Sequence, residues 1–247
     1  METALNQKTY ALFSTAANQK LAVKLEQNGA KIFRFAPVGV RAINTKENAE
    51  ILRNDLLKFD WIVFPDVFAV DCFLQILEEI EIDAFELDAI HVFALGEAVS
   101  DRLRFVQIHA DVIPHFIEKQ AIISTLLNYL GEDKIKDMSF LIPKAAHFET
   151  EFKGELVELA SSVTEIAVYE LQDSEKDKTV NLKALLKGGA IDEFIFDSPE
   201  DLLSLKYYLG GEDLSEIFVD IKTSGTSETV IKALRENGLR PLFFPIK

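Results

Sequence analysis

One cysteine, Cys72, occurs in 247 residues. That excludes an internal disulfide and any cysteine-rich metal site. Its apolar helical surroundings, Phe73 and Leu74, predict a buried, inert thiol. Histidine is almost as scarce: His91, His109, His115 and His147 stand apart, without the spacing of a metal-ligand set. Basic residues are few. Twenty-six Lys and Arg face 41 Asp and Glu, for a net charge of −15, and no dense basic patch exists to follow a phosphate backbone. Long apolar runs are missing too: stretches such as residues 121–127 fall well short of the ~20 residues that span a bilayer. The N-terminus, Met1-Glu2-Thr3-Ala4, lacks a basic region followed by an apolar core, so no secretory signal is expected and a cytoplasmic location is. Gly-x-Ser-x-Gly, Gly-x-x-x-x-Gly-Lys-Ser/Thr and Gly-x-Gly-x-x-Gly are all absent, which leaves triad and nucleotide-dependent chemistry unsupported.

What is present is said twice. Trp61–Phe64 (WIVF) leads through a helix and a second apolar strand to Leu95-Gly96-Glu97-Ala98-Val99-Ser100. Glu193–Phe196 (EFIF) leads through Asp197-Ser198-Pro199, a helix and an apolar run to Ser227-Glu228-Thr229. Phe64 to Gly96 is 32 residues and Phe196 to Ser227 is 31. Each copy has a matched partner segment, residues 11–15 (ALFST) and 139–143 (SFLIP), leading to a helix and the strands Lys31–Phe35 and 166–171. Such a repeat is too long for a solenoid, whose units run ~20–50 residues. It reads as a duplicated α/β domain with a cleft between two similar lobes, where a ligand is expected.

Strands alternate with helices of about ten residues, which predicts βαβ units and parallel sheets. The helices expected over residues 18–28, 46–57, 68–78, 98–103, 119–130, 149–161, 180–187, 200–209 and 228–237 are separated by short apolar strands. These include residues 10–13, 40–43, 91–94, 112–113, 140–142 and 217–221. Two segments read as crossings between lobes: residues 35–43 (FAPVGVRAI), and 169–177, where an apolar strand gives way to the polar run 172–178. Two crossings make one domain discontinuous. The expected division is 1–36 with 173–247, and 37–172. The acidic excess from Glu78 to Asp88 reads as a solvated helix end and loop.

Six strand-to-helix turns are rich in small or hydroxyl residues: Ser14-Thr15-Ala16, residues 64–69, residues 95–98, Pro143-Lys144-Ala145-Ala146, residues 196–199 and residues 223–227. In a parallel sheet they lie at the strands' carboxyl ends, where ligands bind. Backbone N–H groups and helix dipoles there can hold carboxylates or phosphates without many basic side chains. Singly, residues such as Ser198 and Ser227 read as ordinary helix caps or their neighbours. Together, within a duplication, they favour binding of a polyanion.

In combination these motifs resemble uroporphyrinogen-III synthase over nearly the whole chain. Phe196-Asp197-Ser198-Pro199 is similar to the family's Phe-Thr-Ser-Pro turn. Trp61-Ile62-Val63-Phe64, with Ala69-Val70 and Phe73, resembles the first-half version. Ala94-Leu95-Gly96 resembles Ala-Ile-Gly. Ala167-Val168-Tyr169-Glu170 resembles the Val-Tyr-Glu strand at the domain crossing. Ser227-Glu228-Thr229 with Ala233-Leu234 and Gly238-Leu239 resembles Gly-x-Thr-Thr-Ala and its closing Gly-Leu. The resemblance implies two flavodoxin-like lobes. It also implies cyclisation of hydroxymethylbilane to uroporphyrinogen III, with inversion of ring D and loss of water, in heme biosynthesis. No cofactor, nucleic acid or membrane is implied, and the chain is expected to be a monomer. Tyr169 is the implied catalytic side chain, as a hydrogen-bond donor or acid to the leaving hydroxyl. A tyrosine that merely anchors the strand is the plainer reading of the same residue. Substrate contacts are implied at Ser14, Thr15, Phe68, Ala69, Gly96, Glu97, Ala98, Lys144, Ser198, Pro199, Ser227 and Thr229, with Lys144 at a helix start.

The chain departs from the family pattern at Thr15, Asp66, Val99 and Asp197, and the second Ile-Gly glycine falls on Ser227. Asp66 and Asp197 place negative charge where an octacarboxylate would lie, and like charges repel unless both side chains point away. Two other readings therefore stay open. One is a non-catalytic paralogue that binds a tetrapyrrole or another polycarboxylate. The other, weakened by the missing signal, is a two-lobed small-ligand receptor.

Overall fold

Strands that are apolar at successive positions can bury both faces, and β1 (Thr9–Phe13) does so. Ala11 and Phe13 point into one core cluster while Tyr10 and Leu12 point into another. The computed structural model describes residues 8–15, 18–146, 148–172, 181–210 and 212–244. The chain divides into two compact units, Met1–Gly39 with Asp173–Lys247, and Val40–Gln172. Ala16, His147 and residues 173–180, which hold most of the polar run and Val180, lie outside the described residues.

The first unit runs β1, α1 (Gln19–Gln27) and β2 (Lys31–Phe35) before the chain leaves it. The second contains β3 (Gly39–Ala42), α2 (Lys46–Asp55), β4 (Trp61–Phe64), α3 (Val67–Glu79), β5 (His91–Ala94), α4 (Glu97–Phe105) and α5 (Lys119–Leu130). It continues through α6 (Glu132–Ile135), β6 (Ser139–Ala145), α7 (Lys153–Leu159) and β7 (Ser162–Gln172). The chain then returns to the first unit with α8 (Leu182–Lys187), β8 (Glu193–Phe196), α9 (Asp201–Leu209), α10 (Leu214–Ile217), β9 (Lys222–Gly225), α11 (Glu228–Glu236) and β10 (Leu242–Phe243).

Each unit holds a five-stranded sheet, ordered β10-β9-β8-β1-β2 in the first and β3-β7-β6-β4-β5 in the second. In the first, all four pairings are parallel. Renumbered within the unit, its order is the flavodoxin-like 2-1-3-4-5. The second repeats that order through β7-β6-β4-β5, and Val112 bridges Phe93 in the place where β10 pairs β9. The copies also share register. Phe64 lies opposite Ala94, and Phe196 opposite Gly225. The duplication is thus interleaved: β1-β2 and β8-β9 form one unit, while β4-β5 and β6-β7 form the other.

Helices cover both faces of the first sheet. Phe194 and Phe196 join Leu205, Val230 and Leu234 on one side, and Ile195 joins Ala22 and Leu25 on the other. In the second unit Trp61 and Val63 pack with Phe93, Phe140, Ile122 and Leu126. Period-two alternation sends Phe64 to the opposite face, where its ring meets Phe73 of α3 at 5.5 Å. Full burial of each such aromatic contributes on the order of 2 kcal/mol or more. Cys72 is buried, and burial together with nearby Asp71 and Asp66 pushes its thiol up to about 11.

Four elements differ from the sequence expectation. Residues 217–221 are not a strand. Leu214, Ile217, Phe218 and Ile221 recur at helical spacing and meet one cluster, and Asp213 caps the start by accepting from Ser215 N–H at 2.8 Å. The strand comes one step later, in the polar segment Lys222–Gly225, which overlaps the turn expected over residues 223–227. It is stabilised by Ser224 Oγ donating to buried Glu193 at 2.6 Å. Residues 112–113 form only a bridge, and the helix expected over 149–161 is limited to α7. Lys144 lies within β6, not at a helix start.

Gly225 is set by packing. A Cβ there would meet Val230 Cγ1 and Ile231 Cδ1 at 3.0 Å. Both neighbours are β-branched and stiff within α11. We expect Gly225→Ala to lower unfolding free energy by about 1–2 kcal/mol in urea titrations, because α11 must move off the sheet. An unchanged midpoint would show that the helix yields freely.

Candidate functional site

The carboxyl ends of the strands carry two polar arrangements, one in each unit, and a pair of helix starts at corresponding positions of the two copies. In the second unit, Asp66 directly precedes α3. Its extended backbone (φ −157°, ψ 169°) lets Oδ1 accept from Ala69 N–H at 2.8 Å, as an N-cap does. Its other oxygen, Oδ2, accepts from the Tyr169 hydroxyl at 2.7 Å. Tyr169 lies near the carboxyl end of β7 and is fully buried, with its ring 6.1 Å from that of Phe68. Burial, then the Asp66 charge and its hydrogen bond, push the phenol far above its ordinary ionisation range. Three residues singled out from sequence, Phe68, Ala69 and Tyr169, therefore meet around Asp66, which the sequence marked only as an unfavourable charge.

In the first unit Asp197 plays a comparable part. Thr226 Oγ1 donates to its Oδ1 at 3.0 Å, and Thr15 Oγ1 reaches Oδ2 at 3.5 Å, the long limit of a hydrogen bond. The carboxylate thus ties together the loops after β1, β8 and β9. Thr15 also exchanges hydrogen bonds with Asn18 at the start of α1. Ser14 is exposed beside it, its N–H donating to Phe35 O at 2.7 Å. Ser198 and Pro199 form the turn into α9, where Ser198 Oγ contacts the Glu200 carboxylate and accepts from Glu200 N–H at 3.1 Å. Beneath the turn, Asp201 Oδ2 accepts from the N–H groups of Asp197 and Ser198 at 2.9 and 3.2 Å. Asp201 is 2% exposed. Burial, aided by Asp197 and Glu200, outweighs those two N–H bonds and lifts its carboxyl from 3.8 to about 6.

The helix starts form a matched pair. Gly96 and Ser227 are the N-cap residues of α4 and α11, at corresponding positions of the two copies. Ser227 fills its own helix end, accepting from Val230 N–H at 3.3 Å, while Thr229 lies exposed in the first turn. Gly96, at φ 100°, occupies a conformation that favours glycine, and no side chain caps α4. Glu97 and Ala98, both half-buried, form the first turn of α4. Lys144 has a partner within its own unit. Its Nζ donates to Phe148 O at 2.6 Å. Burial would raise the Glu165 carboxyl, but hydrogen bonds from Lys153 and Thr150 and the charges of Lys144 and Lys153 hold it below its ordinary value.

Sequence reasoning missed the engagement of Asp66, Asp197 and Asp201. A signal existed for the first: an Asp two residues past a strand and three before Ala69 has N-cap spacing. The side-chain partners of Asp197, Thr15 and Thr226, come from two distant segments, so no local signal could supply them. Among the described residues no group of three or more His, Cys, Asp or Glu is placed to hold a metal, and no helix is long and apolar enough to cross a membrane.

Fold and site define two interleaved flavodoxin-like units with polar groups gathered at the strands' carboxyl ends, where ligands bind in such folds. Comparison with known proteins supplies the family. The model for Uroporphyrinogen-III synthase HemD matches residues 19–246. A protein of Chlorobaculum parvum named uroporphyrinogen-III synthase is 25% identical over 223 residues, spanning 90% of this chain and 86% of that one. The solved uroporphyrinogen III synthase of Thermus thermophilus aligns over 96% of this chain and 92% of its own, with TM-score 0.64 and 16% identity. A wild-type crystal form from the same organism gives the same score over 96% and 91%. The chain belongs to the uroporphyrinogen-III synthase family, cyclising hydro-lyases of tetrapyrrole biosynthesis.

The raised Asp201 carboxyl predicts a pH dependence. The folded protein holds this proton more tightly than the unfolded chain. The associated stability is complete below about pH 4 and is lost as pH rises through about 6. Asp201→Asn keeps an acceptor for both N–H groups and removes the charge. In urea unfolding from pH 4 to 7, the variant should gain about 2–3 kcal/mol relative to wild type as pH rises. A difference that stays flat with pH would refute the assignment.

Proposed function

We propose that this chain converts hydroxymethylbilane to uroporphyrinogen III, with inversion of ring D and loss of water. It acts without a cofactor, as a cytoplasmic monomer with no nucleic-acid or membrane partner. Family membership supports the reaction class. One observation carries the residue-level reading: the Tyr169 hydroxyl is held by Asp66 at 2.7 Å beside Phe68, at the carboxyl end of a parallel sheet. A linear tetrapyrrole closes spontaneously to the type I isomer. The enzyme's task is therefore chiefly to fold the substrate and select the bond that closes. Tyr169 is the polar side chain proposed to attend the reacting end of the substrate.

The substrate's carboxylates are proposed to meet backbone N–H groups and hydroxyls rather than a basic surface, consistent with the net charge of −15. The proposed contacts in the second unit are Phe68, Ala69, Gly96, Glu97, Ala98 and Lys144. Those in the first are Ser14, Thr15, Ser198, Pro199, Ser227 and Thr229. The carboxylates of Asp66 and Asp197 are held by hydroxyl and N–H donors of the protein, which fix where their charge lies.

Purified protein supplied with hydroxymethylbilane should yield the type III isomer, and product that is entirely type I would sink the reading. Tyr169→Phe should lower kcat about 10- to 100-fold. It should cost about 1–2 kcal/mol of stability, because Asp66 loses a buried donor. An unchanged rate would remove Tyr169 from the mechanism.

A further inference from the structure

We propose that Asp66 is a positioning residue that sets the hydrogen-bond polarity of Tyr169: it takes the phenol proton and leaves the phenol oxygen to act on substrate as an acceptor. The inference rests on the reading of Tyr169 as the side chain that attends the reacting substrate. It departs from that reading's simplest form, in which the phenol supplies its proton to the leaving hydroxyl.

The geometry leaves little choice of direction. Asp66 Oδ1 receives Ala69 N–H and Oδ2 receives the Tyr169 hydroxyl. An ionised carboxylate has acceptors only, and a phenol has one proton. With that proton committed to Oδ2, the capacity left on the phenol oxygen is lone-pair density. Tyr169 is fully buried, and its ring lies against that of Phe68, so the side chain is held in this pose, and substrate reaches the phenol oxygen only by displacing the groups that cover it. Burial, the Asp66 charge and the hydrogen bond all oppose ionisation, so the phenol keeps its proton across the working pH range. A phenol oxygen of this kind suits a substrate group that carries a proton: a pyrrole N–H of the linear tetrapyrrole, or the terminal hydroxyl. Accepting from one of these orients the chain end for closure and requires no proton transfer by Tyr169.

Asp66→Asn tests polarity without removing the cap. Asparagine is as good an N-cap as aspartate, and its Oδ1 must face Ala69 N–H. The amide nitrogen then occupies the place of Oδ2 and donates to the phenol oxygen, so the hydrogen bond survives with its direction reversed. We expect kcat for type III product to fall about 10-fold or more with KM within about twofold, and the urea midpoint to stay near wild type. We expect no further fall when Asp66→Asn is added to Tyr169→Phe, since Asp66 acts through the phenol. Titration of tyrosinate absorbance should show phenol ionisation at lower pH in Asp66→Asn, where the opposing charge is gone. A rate for Asp66→Asn equal to or above wild type would overturn the proposal and leave Tyr169 as a proton donor. Additive losses in the double variant would overturn it as well, by showing that Asp66 acts independently. If Tyr169→Phe alone keeps the full rate, the underlying reading fails and the proposal fails with it.

Discussion

Parallel strand pairing governs this protein. A parallel pair cannot be closed by a hairpin, so each strand must be followed by a crossover segment, here almost always a helix, before the next is laid beside it. Every strand of a parallel sheet then ends on the same edge, and helices begin there with unsatisfied N–H groups. In both units that edge carries the polar residues of interest: Thr15, Asp197 and Thr226 in one, Asp66, Gly96 and Tyr169 in the other. The concentration of hydrogen-bonding groups follows from the topology, before any particular ligand is considered.

Such an edge attracts anions, yet this chain places carboxylates there. The structure reconciles the two by local satisfaction. Asp66 caps a helix and holds a phenol; Asp197 gathers two threonine hydroxyls; Asp201 closes a turn through two N–H groups. Each bond ties a carboxylate to a partner within the protein and fixes where its charge lies. The cost falls unevenly. Asp66 and Asp197 are partly exposed, whereas Asp201 is nearly sealed, and its carboxyl is the one that rises to about 6. Desolvation outweighs two N–H bonds there because neighbouring charges of the same sign assist it.

Much of the architecture was legible in the residues. Buried parallel strands such as Trp61–Phe64 and Glu193–Phe196 are short apolar runs, and the two copies matched because each βαβ unit needs the same spacing. Where the reading slipped, a tertiary contact had displaced a local preference. Lys222–Gly225 is a strand despite its polar composition, because Val230 and Ile231 press α11 onto Gly225 and Ser224 satisfies a buried Glu193. The neighbouring apolar residues 217–221 looked like the better strand until their spacing of three and four is set against the cluster they share.

By itself the amino-acid sequence determined the fold class, the duplication, the strand-end turns and the family resemblance. The first three rest on periodicity and spacing and the resemblance on short motifs, all of them properties of neighbours along a chain. Only the tertiary structure decided where the strand after residues 217–221 falls, that Lys144 belongs to a strand, and what the two aspartates do. Asp66 meets Tyr169 across 103 positions, and Asp197 meets Thr15 across 182. Whether a carboxylate repels a substrate or orients a phenol depends on the donor placed within about 3 Å of it, and only folding brings that donor there.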